Sequence, residues 1–339
     1  MATSSPSSLI SHTLHSSLCS NSRQYKSSSP QHALSFPTTT TSLILSSIGH
    51  KSLCPSPLRY NNKVGVCGIN PKRLVGRVKA SKDEEGTNKN IAVLNKDHLA
   101  VSLAKYVADL SNQFIHNRKC FTLVLSAHSV KKLVEPPYIN SVEWSKWHIF
   151  WVDERVVPKT HVDSNYKLAY DRFLSKVPIP AGNINTIDDS LPADVYETTL
   201  RRLVSSNVIA SSSSSNNNNN NNGLPKFDLI LLDMGPDGEV GSLFPGHPAL
   251  NDNKHWITFL NNAPDPPRHR ITMTLPLINA CSNLAMVVTG AGKANAVHSA
   301  VMGKGKLSDE KLPVQLVKPL QGEMKWFLDK GAASKLYNY

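Results

Sequence analysis

The chain has 339 residues, a formal charge of +12, five cysteines and 40% hydrophobic residues, a length that allows one large or two ordinary domains. Nine Lys and Arg residues (23, 26, 51, 59, 63, 72, 73, 77 and 79) fall in the first eighty positions, which hold no Asp or Glu; the rest carries 28 Lys/Arg against 25 Asp/Glu, a net of +3. A charge so placed is no nucleic-acid footprint, and with no apolar run of ~18 residues the sequence excludes a membrane-spanning helix.

Positions 1–80 are crowded with Ser, Thr and Pro and lack acids. That is the composition of an organelle transit peptide, disordered and later removed. Val78-Lys79-Ala80 is similar to the end of a plastid leader, although a plain unstructured tail has the same composition. Residues 81–90 form a charged linker, and 91–339 are expected to fold as one domain. Cys19, Cys54 and Cys67 leave with the leader. Cys120 and Cys281 lack CxxC or Cys/His spacing, so neither a disulfide frame nor a metal site is expected.

Ile91–Leu94 opens the folded part as a strand. Leu99, Leu103, Val107, Leu110 and Phe114 then recur at helical spacing and form one apolar stripe. Phe121–Leu125 is a second strand; Ser126-Ala127-His128-Ser129 leads from it into a short helix ending before Pro136. Trp147–Val152 is a third strand, followed at once by Asp153-Glu154-Arg155. Asp163-Ser164-Asn165-Tyr166 caps a helix to about Leu174, and Asp194–Val208 is another. Ser211–Asn222 holds only Ser and Asn, cannot bury apolar area, and reads as a disordered surface insertion.

Phe227–Leu232, broken only by Asp228, reads as a strand buried on both faces. Gly235-Pro236-Asp237-Gly238 then turns the chain, and Val240–Phe244 reads as a short helix start. Arg270–Leu275 and Leu284–Val288 are further strands. The second runs into Thr289-Gly290-Ala291-Gly292-Lys293 and a helix to about Met302. Pro313–Val317 reads as a late strand, and Trp326–Leu336 closes the chain. The alternation predicts an α/β fold: a Rossmann-like, doubly wound, mostly parallel sheet with helices on both faces.

In such a sheet the polar strand ends gather on one edge. Asp153 with Arg155, Asp237 with Glu239, and the Gly290–Lys293 loop are therefore the candidate site. Gly290 and Gly292 let backbone N–H groups approach an anion at a helix start, and Lys293 adds a charge. The spacing is not that of a Walker A loop, so a small phosphate ester fits better than a nucleotide. Ser126 and Ser129 could donate to the same phosphate. Arg268 and Arg270 are further cations that could equally be solvated loop charges.

WVDERVVPKTHVDSNYKLAYDRFL, FDLILLDMGPDGEVGSLFPGHPAL, RITMTLPLIN and TGAGKANAV together resemble the 6-phosphogluconolactonase family in its plant plastid form. The resemblance runs from about Asn90 to Leu336. It implies a fold of the glucosamine-6-phosphate isomerase type, no metal or organic cofactor, a monomer, and a plastid-stroma location. It also implies hydrolysis of a small phosphorylated sugar lactone, 6-phospho-D-glucono-1,5-lactone, to 6-phosphogluconate. No nucleic acid or membrane partner is implied.

Lactone hydrolysis needs a general base for water and charge stabilisation at the carbonyl oxygen. The family's loop reads Gly-Pro-Asp-Gly-His with the His as base; Glu239 holds that place here. By the same resemblance Asp153 lines the site, Arg155 helps to bind the ligand and Lys293 serves the phosphate, with Asp237 a second candidate base through a water. The departures are specific. A free Glu titrates near 4.3 against about 6.5 for His, making it the weaker base. The family's Ser-Gly-Gly-Ser phosphate loop is here Ser126-Ala127-His128-Ser129, and the helix after it is about a turn shorter. Two other readings stay open: a catalytically impaired paralogue that binds sugar phosphates or a partner, and an amino-sugar phosphate isomerase or deaminase.

Overall fold

The apolar runs of this sequence have no polar alternation, and such strands pair only where both sheet faces are covered. A computed structural model describes residues 90–126, 130–190, 192–212, 223–303 and 311–336. The leader, Ala127-His128-Ser129 and most of the Ser/Asn tract lie outside the described residues. The strands in chain order are β1 (Asn90–Leu94), β2 (Phe121–Leu125), β3 (Trp147–Trp151), β4 (Asp153–Arg155), β5 (Ala210–Ser211), β6 (Pro225–Lys226), β7 (Leu229–Leu232), β8 (Ile257–Leu260), β9 (Arg270–Met273), β10 (Asn283–Val288) and β11 (Glu323–Asp329). The helices are α1 (Lys96–Arg118), α2 (Tyr138–Ser141), α3 (Asn165–Arg172), α4 (Ala193–Ser205), α5 (Leu275–Asn279), α6 (Ala294–Met302) and α7 (Pro313–Leu316).

Six strands form one sheet in the order β1-β11-β10-β7-β2-β3, every neighbouring pair parallel. From β2 the chain moves outward to β3; from β7 it moves the other way, to β10 and β11. The order therefore reverses between β2 and β7. Ligands of open α/β sheets bind outside the carboxyl ends at such a switch point. The loop after β7 and the residues after β2 sit at that place.

The expected doubly wound sheet is present, but the sequence reading gave no second sheet. Arg270–Met273 does not extend the parallel array; β4, β9 and β8 make a separate antiparallel sheet. Val152 joins the two. Its N–H donates to Leu125 O in the parallel sheet (2.9 Å), and its carbonyl accepts from Met273 N in the antiparallel one (2.7 Å).

Two local expectations are corrected. Val240–Phe244 is no helix start: Val240 and Leu243 exchange backbone bonds of 3.2 and 3.0 Å around Gly241, whose φ of +57° no helix can propagate. Pro313–Val317 is not a strand but the short helix α7. Pro313 suits the first helical turn, and the Gln315 side chain accepts the Leu312 N–H at 2.8 Å.

At the opposite edge of the sheet, Asp228 explains the one polar residue in the central run. Its buried carboxylate accepts from Thr122 N (2.8 Å), Thr122 Oγ1 (2.9 Å) and the Arg118 guanidinium. Arg118 also donates to Val208 O (2.9 Å), and Asn283 Nδ2 to Asp228 O (2.9 Å). The end of α1 and the starts of β2, β7 and β10 are thus tied together away from the switch point.

Candidate active site

The loop after β7 is shaped by its glycines and by one carboxylate. Gly235 N donates to Glu239 O (3.0 Å), Gly238 N to Gly235 O (3.2 Å), and Glu239 N to Asp237 Oδ1 (3.1 Å). The Glu239 side chain folds back over Gly235, where any Cβ would lie 2.4 Å from Glu239 Cγ. Glycine is required there because the Glu239 side chain fills that space. From outside, Val314 N donates to Gly238 O (3.0 Å), so the start of α7 clamps the turn.

Glu239 is half-buried, and its Oε2 is shielded with no hydrogen-bond partner among the described residues. Burial first, then the charges of Asp237, Asp153 and Asp265, push its carboxyl up from 4.5 to about 7, against the pull of Arg270. The expectation of a weak base is therefore corrected. A carboxylate at about 7 is roughly 300-fold more basic than one at 4.5 and matches free imidazole.

Asp153 faces it from β4 and is only 4% exposed. Its Oδ2 accepts from Ser242 Oγ (2.7 Å), and Asn165 Nδ2 donates to its backbone carbonyl (2.9 Å) and, at 3.4 Å, to its Oδ1. Burial raises its pKa, opposed by Arg155, the Ser242 hydroxyl and Arg270. Glu154, on the other face of β4, is buried and accepts N–H bonds from Asn165 (2.7 Å), Tyr166 (2.8 Å) and Arg155 (2.9 Å). It also accepts the Ser164 hydroxyl at 3.1 Å. One carboxylate thus fixes the start of α3 against β4 and sets Asn165 over Asp153.

Arg155 and Arg270 are register partners in the β4–β9 ladder. Directly opposed residues have Cβ atoms about 5 Å apart on one face, and like charges there repel. Arg270 is 5% exposed; burial and Arg155 both lower its pKa. Its guanidinium donates to the carbonyls of Pro267 and Asp265, and Arg155 Nη1 donates to Asp163 O. Arg155 Nε and Asn165 Oδ1, like Glu239 Oε2, are buried without a hydrogen-bond partner among the described residues. Buried polar groups are normally satisfied, so orphans in neighbouring side chains mark a place where a polar ligand can bind.

Lys293 donates to Asp233 Oδ1 at 3.0 Å, at the carboxyl end of β7. Gly290 has φ +99°, and a Cβ on Gly290 or Gly292 would meet nothing within 4 Å, so this loop presents open backbone at the start of α6. Asp329 holds it from behind through Gly290 N (3.0 Å). Ser126 is buried at the end of β2, its N–H on Leu231 O (3.1 Å).

The geometry draws together Glu239, Asp237, Asp153, Arg155 and Arg270, and sets Lys293, Gly290, Gly292 and Ser126 along the same edge. Asp237 is exposed, and one of its oxygens serves the turn. Arg268 is an exposed loop charge bonded to Ala263 O. Ser129 lies outside the described residues. Sequence reasoning missed Ser242, Asn165, Glu154 and Asp233. The DER…DSN spacing carried a signal for two of them, since a capping segment shortly after a strand must fold back onto it. Among the described residues no three His, Cys, Asp or Glu side chains are grouped as a metal site, and no helix is long and apolar enough to cross a membrane.

Residues 94–326 match the family model described as "Glucosamine-6-phosphate isomerases/6-phosphogluconolactonase". The chain is 54% identical over 251 residues to "Probable 6-phosphogluconolactonase 4, chloroplastic" of Oryza sativa subsp. indica, covering 72% of this chain and 75% of that protein. It is 49% identical over 249 residues to "6-phosphogluconolactonase 3, chloroplastic" of Arabidopsis thaliana, covering 71% and 73%. The solved structure of 6-phosphogluconolactonase from Trypanosoma brucei shares the fold, with a TM-score of 0.62 at 22% identity over 73% of this chain and 98% of that one. With a family model matched over more than half of the chain and relatives about half identical to it, the chain belongs to the glucosamine-6-phosphate isomerase/6-phosphogluconolactonase family.

Proposed function

We propose that this chain hydrolyses 6-phospho-D-glucono-1,5-lactone to 6-phosphogluconate in the oxidative pentose phosphate pathway, with Glu239 as general base. The observation that carries the reading is a carboxyl pushed up to about 7, with one shielded oxygen lacking a hydrogen-bond partner among the described residues, beside the buried Arg270. Ionised Glu239 takes a proton from water as the water oxygen bonds to the lactone carbonyl carbon. The tetrahedral intermediate collapses by breaking the bond to the ring oxygen, which takes the proton back from Glu239. Arg155 and Arg270 offer positive charge to anionic oxygen on the substrate, and their mutual repulsion is relieved when an anion binds between them.

Lys293, the open backbone at Gly290–Gly292 and the Ser126 hydroxyl serve the phosphate end, and Ser129 extends that set. Asp153, anchored by Ser242 and Asn165, attracts the arginines through its charge and adds to the field that raises Glu239. Asp237 acts through the turn rather than on the substrate. The enzyme works as a monomer in the plastid stroma. Positions 1–80 are its transit peptide and 81–89 a linker; the lactonase domain begins at Asn90 in β1 rather than at 91, and the surface insertion is 213–222, since Ser211 is paired in β5. The closest support for the location is the word chloroplastic in the names of relatives about half identical to this chain. The test is lactone hydrolysis measured against the spontaneous rate: catalysis by the mature chain and its loss in Glu239→Gln support the proposal, and no rate above background refutes it.

A further inference from the structure

We infer that Asp233 sets the affinity of the phosphate end: it holds Lys293 in a closed ion pair that an incoming phosphate ester must open. The inference rests on the reading above that Lys293 meets the phosphate. Asp233 is the first residue beyond β7, at the switch point. Its Oδ1 accepts both from its neighbour Met234 N (2.7 Å) and from Lys293 Nζ (3.0 Å), which fixes the carboxylate in place and aims the ammonium at it. The two side chains are 22% and 24% exposed. That is wet enough for a ligand to reach them and dry enough for the attraction to exceed that of an open surface pair.

The charge arithmetic decides the consequence. A lysine alone presents +1 to a dianion, whereas Lys293 on the Asp233 carboxylate presents less. Asp233 also acts inside the pocket, since its charge is one of the causes that raise the Asp153 carboxyl. A phosphate therefore gains the Lys293 contact only by displacing a carboxylate that stays nearby and repels it. Inorganic phosphate and product are held weakly at this end. Substrate is selected by contacts along its whole length, through the Arg155–Arg270 pair as well.

The experiment measures binding of 6-phosphogluconate and of inorganic phosphate by calorimetry, and KM by lactone hydrolysis. Asp233→Asn should tighten both ligands roughly fivefold and lower KM, whereas Asp233→Glu, which keeps the charge, should stay near the wild-type affinity. In a Lys293→Ala background the tightening by Asp233→Asn should be clearly smaller, because only the direct repulsion of the phosphate is left to relieve. Tightening of the same size without Lys293, or no tightening with it, overturns the inference. If Lys293→Ala alone leaves affinity unaltered, the phosphate reading itself fails and takes the inference with it. Should Asp233→Asn not fold, Asp233→Ser removes the same charge and is read the same way.

Discussion

Glu239→Gln separates the chemistry of the carboxylate from its shape. Raising a carboxyl from 4.5 to about 7 costs the charged form about 3 kcal/mol, cut to about 2 by the water that reaches a half-buried group. Below pH ~4.5 Glu239 is protonated in both folded and unfolded chains. Between ~4.5 and ~7 the folded chain holds the extra proton, so stability falls as pH rises; above ~7 the loss is complete. Glutamine carries no charge at any pH. The variant should therefore match wild type near pH 4 and be more stable by about 2 kcal/mol near pH 8, a rise in Tm of roughly 4–8 °C. Its lactonase rate should fall by about 10²–10⁴-fold, the usual worth of a general base.

Wild-type kcat/KM should climb tenfold per pH unit and level off above ~7. Thermal melts at the two pH values and a pH–rate profile corrected for spontaneous hydrolysis make the measurement. A Gln variant that stays fast, or a melting difference equal at both pH values, refutes the assignment and returns the search for the base to Asp153 or Asp237.

Asp228→Asn removes half of a buried ion pair and should cost about 3 kcal/mol in urea unfolding; a loss under ~1 kcal/mol would show that the knot around Arg118 and Thr122 carries little. Replacing residues 213–222 with an Asn-Gly turn joins strands already paired at Ser211 and Pro225, and should leave stability level or raise it by up to ~1 kcal/mol. A drop of more than ~1 kcal/mol would mean that the tract packs on the domain. A fusion of residues 1–85 to a fluorescent reporter should enter plastids, and a diffuse cytosolic signal would refute the leader.

Most of the parallel sheet was legible because its strands are unbroken apolar runs and α1 is a stripe at helical spacing. What sequence could not give was the partner of each run. Arg270–Met273 reads like any other strand, and only its register with β4 puts Arg270 opposite Arg155. Val240–Phe244 is apolar enough for a helix, and the positive φ of Gly241 is a property of the folded turn. The pKa of Glu239 is hidden for the same reason: it depends on burial, then on Asp237 and on Asp153, which lies 86 positions earlier in the chain. Asp233 and Lys293 stand 60 positions apart, and only the fold brings them together.

The shared residue Val152 has a consequence for how this enzyme fails. With its N–H in one sheet and its carbonyl in the other, the two sheets cannot come apart without breaking the backbone ladder beside Asp153. The arginines ride on one sheet, while the base rides on a loop of the other. Loosening of the antiparallel sheet therefore pulls the cations from the base. A weakened variant should lose turnover while its bulk helix signal is still native.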